Sequence, residues 1–291
     1  VAIFLQLLFT GLGIGAIYAL VALGFVLLIR AASVVNFAQG QFSMVGAYLL
    51  VVFFNVLGLP YLVSMVIGVI VMAGFGVLFA GATYWPLRHR GALPVIISTI
   101  GASIFLENIV LVLYGPSPEV LPGVFDNPGF DVGPVFMDSQ YLTIMAAATL
   151  LVILQYFIFE KTLLGKKLQA TSQDKEMASL LGIPVVTMVL ITFGYSAAIG
   201  GLAGMLVAPV LFVSVGMGGL IALKAFAANI IGGYGSIPGA IIGGVALGVV
   251  ETLGASYISV PYKDAFAFAM LLCFLAVRPQ GLFGEKISEK A

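Results

Sequence analysis

Residues 2 to 29 contain no charged side chain, and the first charge, Arg30, follows them. A helix needs about 20 apolar residues to cross the roughly 30 Å hydrocarbon layer of a bilayer, so this run is long enough to span one. A secretory leader places its basic residues before a shorter apolar core. Here the order is reversed, and a first transmembrane helix rather than a cleaved leader is the expectation. Further apolar segments follow at 41–58, 60–86, 92–115, 141–159, 184–212, 217–235, 239–258 and 264–277. An ordinary soluble domain carries about 25% charged residues, whereas this chain has 8%, with 62% hydrophobic. The expected fold is all-α: one polytopic transmembrane bundle over 1–291, with about nine membrane-embedded segments within a range of eight to ten. Eight crossings result if 41–58 enters and leaves from one face.

The few charges sort by loop. Lys161, Lys166, Lys167 and Lys175 fall in 160–176, Arg88 and Arg90 flank His89, and Arg278, Lys286 and Lys290 lie in the tail. Short basic loops stay cytoplasmic, which places these regions inside. Loop 116–140 carries Glu119, Asp126, Asp131 and Asp138 without a base, and turn residues such as Asp126-Asn127-Pro128-Gly129; it belongs outside. The N-terminus is then outside and the C-terminus inside, and among Lys and Arg only Lys224 and Lys263 depart from the cytoplasmic side. Tyr84 and Trp85, beside Pro86 and the Arg-His-Arg cluster, read as an interfacial anchor. Twelve basic residues balance twelve acidic ones, so net charge gives no reason to expect nucleic acid as a partner.

Glycine is abundant, at 36 residues with 13 prolines. Small residues at three- and four-residue spacing let helix backbones approach closely, as in Gly11-x-Gly13-x-Gly15 and Gly200-Gly201-x-x-Gly204. In two windows polar residues interrupt the apolar run together with the glycines: 36–43, with Asn36, Gln39, Gly40, Gln41 and Ser43, and 229–240, with Asn229, Gly233 and Ser236. At an offset of 193 residues the windows match at Asn36/Asn229, Gly40/Gly233, Ser43/Ser236, Gly46/Gly239 and Ala47/Ala240, the pattern of an internal repeat. Gly- and Pro-interrupted segments in corresponding halves are where transporters unwind helices and expose backbone groups to substrate, so these residues are candidates for a substrate pathway.

Several chemistries are missing. No G-x-x-x-x-G-K-[ST] loop is present; Gly165-Lys166 lacks the preceding glycine, so ATP cannot be bound in that manner. Protease and esterase motifs are absent too. One cysteine and one histidine exclude an intramolecular disulfide and a multi-histidine metal centre. Ionisable residues inside apolar segments are Glu107, Lys224 and Glu251. Each costs about 2.5–3.5 kcal/mol at a helix centre and should face protein or water. Glu107-Asn108 suits a substrate or ion contact, a polar bridge between helices, or a group near the outer interface. Lys224, near the start of its segment, is placed to snorkel, and Glu251 to pair across helices. In 165–184 a short helix ends on a C-cap Gly182 before Pro184, with Asp174 ahead of it and Met177, Ala178, Leu180 and Leu181 forming an apolar face. A helix too short to be stable alone gains stability in a partner's groove.

Asn36-Phe37-Ala38-x-Gly40, Met177-Ala178-Ser179-Leu180-Leu181-Gly182-Ile183, Lys224-Ala225-Phe226, Gly232-Gly233-x-Gly235-Ser236-Ile237-Pro238-Gly239-Ala240, Tyr262-Lys263-Asp264 and Arg278-Pro279-x-Gly281-Leu282 occur in this order. Together they resemble the permease of the branched-chain amino-acid ABC importer family, the first of its two membrane subunits, from residue 1 to about 285. The resemblance implies a bacterial inner-membrane translocation subunit that is not itself an enzyme and holds no cofactor, ATP and Mg belonging to partner subunits. It implies a second related permease, two cytoplasmic ATPase subunits and a periplasmic substrate-binding protein as partners. Residues 160–183 are then the ATPase-coupling loop, with Asp174, Met177, Ala178, Leu181 and Gly182 in contact, while Asn36, Gln39, Gly40, Gln41, Ser43, Glu107, Asn108, Asn229, Gly233 and Ser236 lie along the pathway. Loop 116–140 and the Tyr262-Lys263-Asp264 turn would receive the binding protein. The chain departs from the family at Gln39 and Gln41, often His and Glu, and at Glu107, often an amide. The alternative is an ion-gradient-driven transporter or channel for a small polar solute, with Glu107 and Asn108 as its ion site.

Overall fold

A computed structural model describes residues 2–125, 129–133 and 135–283. Part of the expected outer turn, Asp126-Asn127-Pro128, and the tail bases Lys286 and Lys290 lie outside the described residues. The described elements are α1 (Ala2–Ala32), α2 (Gln39–Val51), α3 (Tyr61–Thr83), α4 (Ala92–Tyr114), β1 (Gly129–Val132), β2 (Val135–Asp138), α5 (Ser139–Tyr156), α6 (Leu163–Gln173), α7 (Lys175–Leu180), α8 (Val185–Leu211), α9 (Met217–Gly232), α10 (Ile237–Tyr257) and α11 (Lys263–Val277). π-helical turns extend α2 over Val52–Val56 and α5 over Phe157–Lys161. β1 and β2 form one antiparallel hairpin in the acidic loop.

Helices occupy all nine apolar segments, but among the described residues seven, counting these extensions, are long and apolar enough to cross a membrane. α9 and α11 have 16 and 15 residues, short of the roughly 20 that a span requires. α2 does not turn back on itself: its Tyr48 ring packs on Tyr114 at the C-terminal end of α4, with centroids 4.7 Å apart.

α1 is the axis of the bundle. Its Gly11 and Gly15 lie one turn apart on a face that meets Gly244 and Gly248 of α10, running antiparallel, so closely that a methyl group on Gly248 would strike the Gly15 backbone. Gly13 faces the Tyr141 ring of α5 instead. α8 is built the same way: Gly201 meets Gly46 of α2 and Met72 of α3, and Gly204 meets the Ser43 carbonyl. The glycine spacings read from the sequence are thus backbone-packing seams. α3, α4 and α5 carry exposed large apolar side chains along their outer faces, among them Leu78, Phe105, Val112 and Leu150, as suits a surface whose solvent is lipid.

The bundle has two chemically distinct ends. At one, Arg30 Nε donates to the Gly235 carbonyl at 2.7 Å. There 278–283 straps the α9–α10 turn through Leu282 and Phe283 amides donating to the Ile231 and Gly232 carbonyls, both at 2.9 Å. α6 and α7 cover the same end. At the other, Glu119 and Val213 exchange backbone hydrogen bonds of 2.8 and 2.9 Å, and Gln6 pairs with the Phe136 backbone.

Substituting Gly248 with Leu should lower stability by about 1–3 kcal/mol through overpacking. Gly74→Ala, in an exposed stretch of α3 with open space around it, should raise it by about 0.5–1 kcal/mol. Thermal unfolding of the purified protein in detergent reads both; equal midpoints for the two variants would contradict the seam.

Candidate functional site

The first polar window sits at a crossing of helices. The chain leaves α1 and folds back, so that α2 begins beside Gly24 of α1, about 12 Å along the axis from the α1 terminus at 1.5 Å per residue. Asn36 Oδ1 accepts from the Ala38 amide at 3.0 Å, holding the turn before α2, and the Phe37 amide donates to Thr99 Oγ1 of α4 at 3.2 Å. Gln39 is fully buried: its Nε2 donates to the Ser196 carbonyl at 3.2 Å and its Oε1 accepts from Ser196 Oγ at 2.8 Å. Gly40 lies against Gly218 and Ala222 of α9, and Phe226 of α9 packs on Phe25 and Phe37. α1, α4, α8 and α9 therefore all touch the first turn of α2.

Polar capacity is left over at this crossing. Asn36 Nδ2, Gln41 Oε1 and Ser43 Oγ are buried without a hydrogen-bond partner among the described residues, although an unmet buried group costs about 1–3 kcal/mol. Glu107 joins the group through Gln41 Nε2, which donates to its carboxylate at 3.3 Å. Asn108 does not: it is exposed, and its amide donates back to Ile104 of its own helix at 2.8 Å.

The second window is differently built, and the internal repeat is not seen in local structure. Asn36 lies in a turn and Gly40 and Ser43 in a helix, whereas Asn229 is helical, Gly233 caps α9 and Ser236 is the N-cap of α10, its Oγ accepting from Gly239 at 3.2 Å. Gly/Ala matches in a chain rich in both produced the alignment. Gly233 and Ser236 make a tight turn, strapped by 278–283. Asn229 alone keeps unused polar atoms; both lack partners among the described residues.

A neutral four-charge cluster was invisible as a unit in the sequence. Lys224 Nζ lies 2.7 Å from Glu251 Oε1 and 2.6 Å from Asp264 Oδ1 and donates to Tyr18 Oη at 3.3 Å. Tyr18 in turn donates to Glu251 Oε2 at 3.0 Å, and Lys263 Nζ stands 3.6 Å from Glu251 Oε1. Lys224 does not snorkel, because two carboxylates hold it inside. Its partners lie 27 and 40 residues away on α10 and α11, and only packing brings them together.

At the opposite end Thr162 caps α6, accepting from Gly165 at 3.1 Å, and Asp174 caps α7, accepting from the Glu176 and Met177 amides at 2.9 and 3.0 Å. Gly182 adopts φ +77 and closes α7 with Gly182-to-Ser179 and Ile183-to-Ala178 bonds of 3.0 Å each, the paired bonds of a Schellman turn. Ala178 turns inward and is buried, while Met177, Leu180 and Leu181 are exposed. Lys175 Nζ ties α7 to the bundle, donating to the Ala32 carbonyl at 2.9 Å and to Tyr84 Oη at 3.3 Å. Arg88 stacks over Trp85 at 3.5 Å from the ring centroid.

Residues 7–275 match the family described as branched-chain amino acid transport system / permease component. The chain belongs to this family. It is 36% identical to the high-affinity branched-chain amino acid transport system permease protein LivH of Salmonella typhimurium, over 99% of this chain and 97% of that protein. To LivH of Escherichia coli K12 it is 36% identical over the same shares, and to BraD of Pseudomonas aeruginosa 33% identical, over 99% and 98%. In this permease, then, the four-charge cluster and the α2 crossing are features of a transport protein's interior.

Removing one member of a buried ion pair strands the other, at about 3–5 kcal/mol. Lys224→Met should therefore destabilise this permease by that order, and Lys224→Met combined with Glu251→Gln should recover part of the loss. Unfolding midpoints of the single and double variants decide it; a double variant no better than the worse single would refute the pairing.

Proposed function

We propose that this permease is the membrane-spanning subunit of an ATP-driven importer that translocates branched-chain amino acids. It works with a second related permease, two cytoplasmic ATPase subunits that hold ATP and Mg, and a periplasmic substrate-binding protein. The carrying observation is the outer edge of α7, where Met177, Leu180 and Leu181 stand exposed on a capped helix fixed to the bundle by Lys175. An apolar edge on a short helix, in a loop rich in Lys, suits a groove on a water-soluble partner. Residues 160–183 are the coupling loop in this reading, Asp174 and Gly182 shaping α7, Met177 and Leu181 entering the groove, and Ala178 seating the helix on the bundle.

In this reading the α6–α7 end faces the cytoplasm of a bacterial inner membrane, the N-terminus outside and the C-terminus inside; the basic loops support it. This reading counts nine crossings, the short α9 and α11 both among them. α9 counts among them despite its length, because the chain enters it from Val213 at the Glu119 end and leaves it at the strapped turn beside Arg30. The pathway runs by the first turn of α2, where Asn36, Gln41, Ser43 and Glu107 offer polar atoms and Gln39 and Gly40 hold the backbone in place; Asn229 contributes from α9. ATPase closure moves α7, α7 moves the joined ends of α1 and α3, and the α2 crossing rearranges. An ion-driven transporter is less well supported, since Glu107 and Asn108 diverge rather than converge.

Leu180→Asp with Leu181→Asp should lower ATP-driven leucine uptake by the reconstituted importer by about 30-fold or more, the scale of an interface hot spot, and weaken retention of the ATPase on the tagged permease. Uptake and retention equal to the unsubstituted complex would overturn the assignment of α7. Leucine uptake by this chain alone in liposomes, without ATPase, would overturn the importer reading.

A further inference from the structure

We propose that the Lys263–Asp264 edge of the four-charge cluster is a transit site for the zwitterionic head group of the transported amino acid. The inference rests on the importer reading above. A cavity of about 360 Å³ opens beside the cluster, lined by Leu211, Met217, Leu220 and Ile221 together with Lys263 and Asp264. That size lies within the range of about 300–1,000 Å³ usual for small-molecule sites. It adjoins the loop that follows α8, whose Val213 pairs with Glu119, so it lies at the end that carries the acidic loop, away from α7.

An amino acid leaving water carries one ammonium and one carboxylate, and each needs an opposite charge. The cluster supplies both signs in two layers. Lys224 and Glu251 form the inner layer, with side chains 5% and 3% exposed; Lys224 and Tyr18 reach the cavity wall, but the Lys224 ammonium is already held by Glu251, Asp264 and Tyr18. Asp264 and Lys263 form the outer layer, 46% and 41% exposed. Asp264 is anchored through one oxygen to Lys224, and a carboxylate has acceptor sites beyond one such contact. Lys263 lies 3.6 Å from Glu251, longer than a hydrogen bond, which leaves ammonium donors for a ligand carboxylate. The substrate ammonium goes to Asp264, its carboxylate to Lys263, and its branched side chain to the apolar wall. Because the cluster is neutral before and after, a zwitterion enters without building net charge in the membrane, whereas an ion of one sign does not. Association is weak by design of the system, since a transit site must release what it receives.

The test uses the complete importer in lipid nanodiscs and proteoliposomes. ATP- and binding-protein-dependent leucine uptake by the unsubstituted complex comes first; its absence overturns the importer reading itself, whatever the cavity does. Binding of leucine, isoamylamine and 4-methylpentanoate to the complex without binding protein is then followed by saturation-transfer NMR. Leucine should bind more tightly than either one-charge analogue. Asp264→Asn should weaken leucine and isoamylamine by about tenfold or more, as loss of a charged hydrogen bond does, and spare 4-methylpentanoate. Lys263→Gln should weaken leucine and 4-methylpentanoate and spare isoamylamine. Leu220→Trp, which fills the cavity without touching a charge, should weaken all three and reduce uptake per ATP hydrolysed; it decides the matter if Asp264→Asn fails to assemble. The proposal is overturned by any of three results: leucine binding no tighter than its analogues, equal losses for all three ligands in both charge variants, or unchanged binding in Leu220→Trp.

Discussion

Contact between backbones, at positions where no side chain intervenes, sets the shape of this permease. Lipid tails are as apolar as leucine, so burying one apolar helix against another in a bilayer gains little from the hydrophobic effect, and close packing must supply the attraction. Gly11 and Gly15 of α1 against Gly244 and Gly248 of α10, and Gly201 and Gly204 of α8 against α2, bring main chains within reach of one another. Once those seams are made, the remaining helices have little choice. α1 is enclosed, α3, α4 and α5 are displaced to the rim with their apolar faces outward, and α2 is left the space between α1, α4, α8 and α9.

That confinement explains how polar groups survive inside. Gln39 Nε2 donates to the Ser196 carbonyl, and the single Ser196 hydroxyl proton stands within reach of both Gln39 Oε1 at 2.8 Å and the Gly24 carbonyl at 3.0 Å, so Ser196 ties α8 to α2 and lies against α1. Lys224, Glu251, Asp264 and Tyr18 do the same for α9, α10, α11 and α1. In each place a side chain costly to bury is kept because several neighbours satisfy it together. Elsewhere in the α2 crossing, Asn36, Gln41 and Ser43 each retain a polar atom unmet among the described residues.

Helix positions were legible in the sequence because a bilayer imposes a minimum length and forbids charge, and both constraints are local. The runs broken at Arg30, at Arg88 to Arg90 and at Gly58-Leu59-Pro60 became helices ending close to those points. The seams were legible as well, since small-residue spacing is a one-dimensional pattern. Orientation of a side chain around its helix was less so: Ala178 and Leu181 share an apolar stretch, yet one is buried and the other exposed. Least legible were the pairings. The bridge between helices expected of Glu107 is made, to Gln41 of α2, but its partner was not legible, and Asn108 does not share it, because neighbours in a helix point about 100° apart. Lys224 seemed able to reach the interface, because nothing in its own segment revealed the two carboxylates waiting on later helices. The apparent repeat between 36–47 and 229–240 failed for a related reason, since matching residue types do not guarantee matching backbone.

The Lys175 attachment carries one more implication. Its ammonium holds the last carbonyl of α1 with one donor and the Tyr84 hydroxyl just beyond α3 with another. α2 hangs between these two helices in the chain. In the proposed coupling, one ammonium on the six-residue α7 therefore connects to both suspensions of α2 at once.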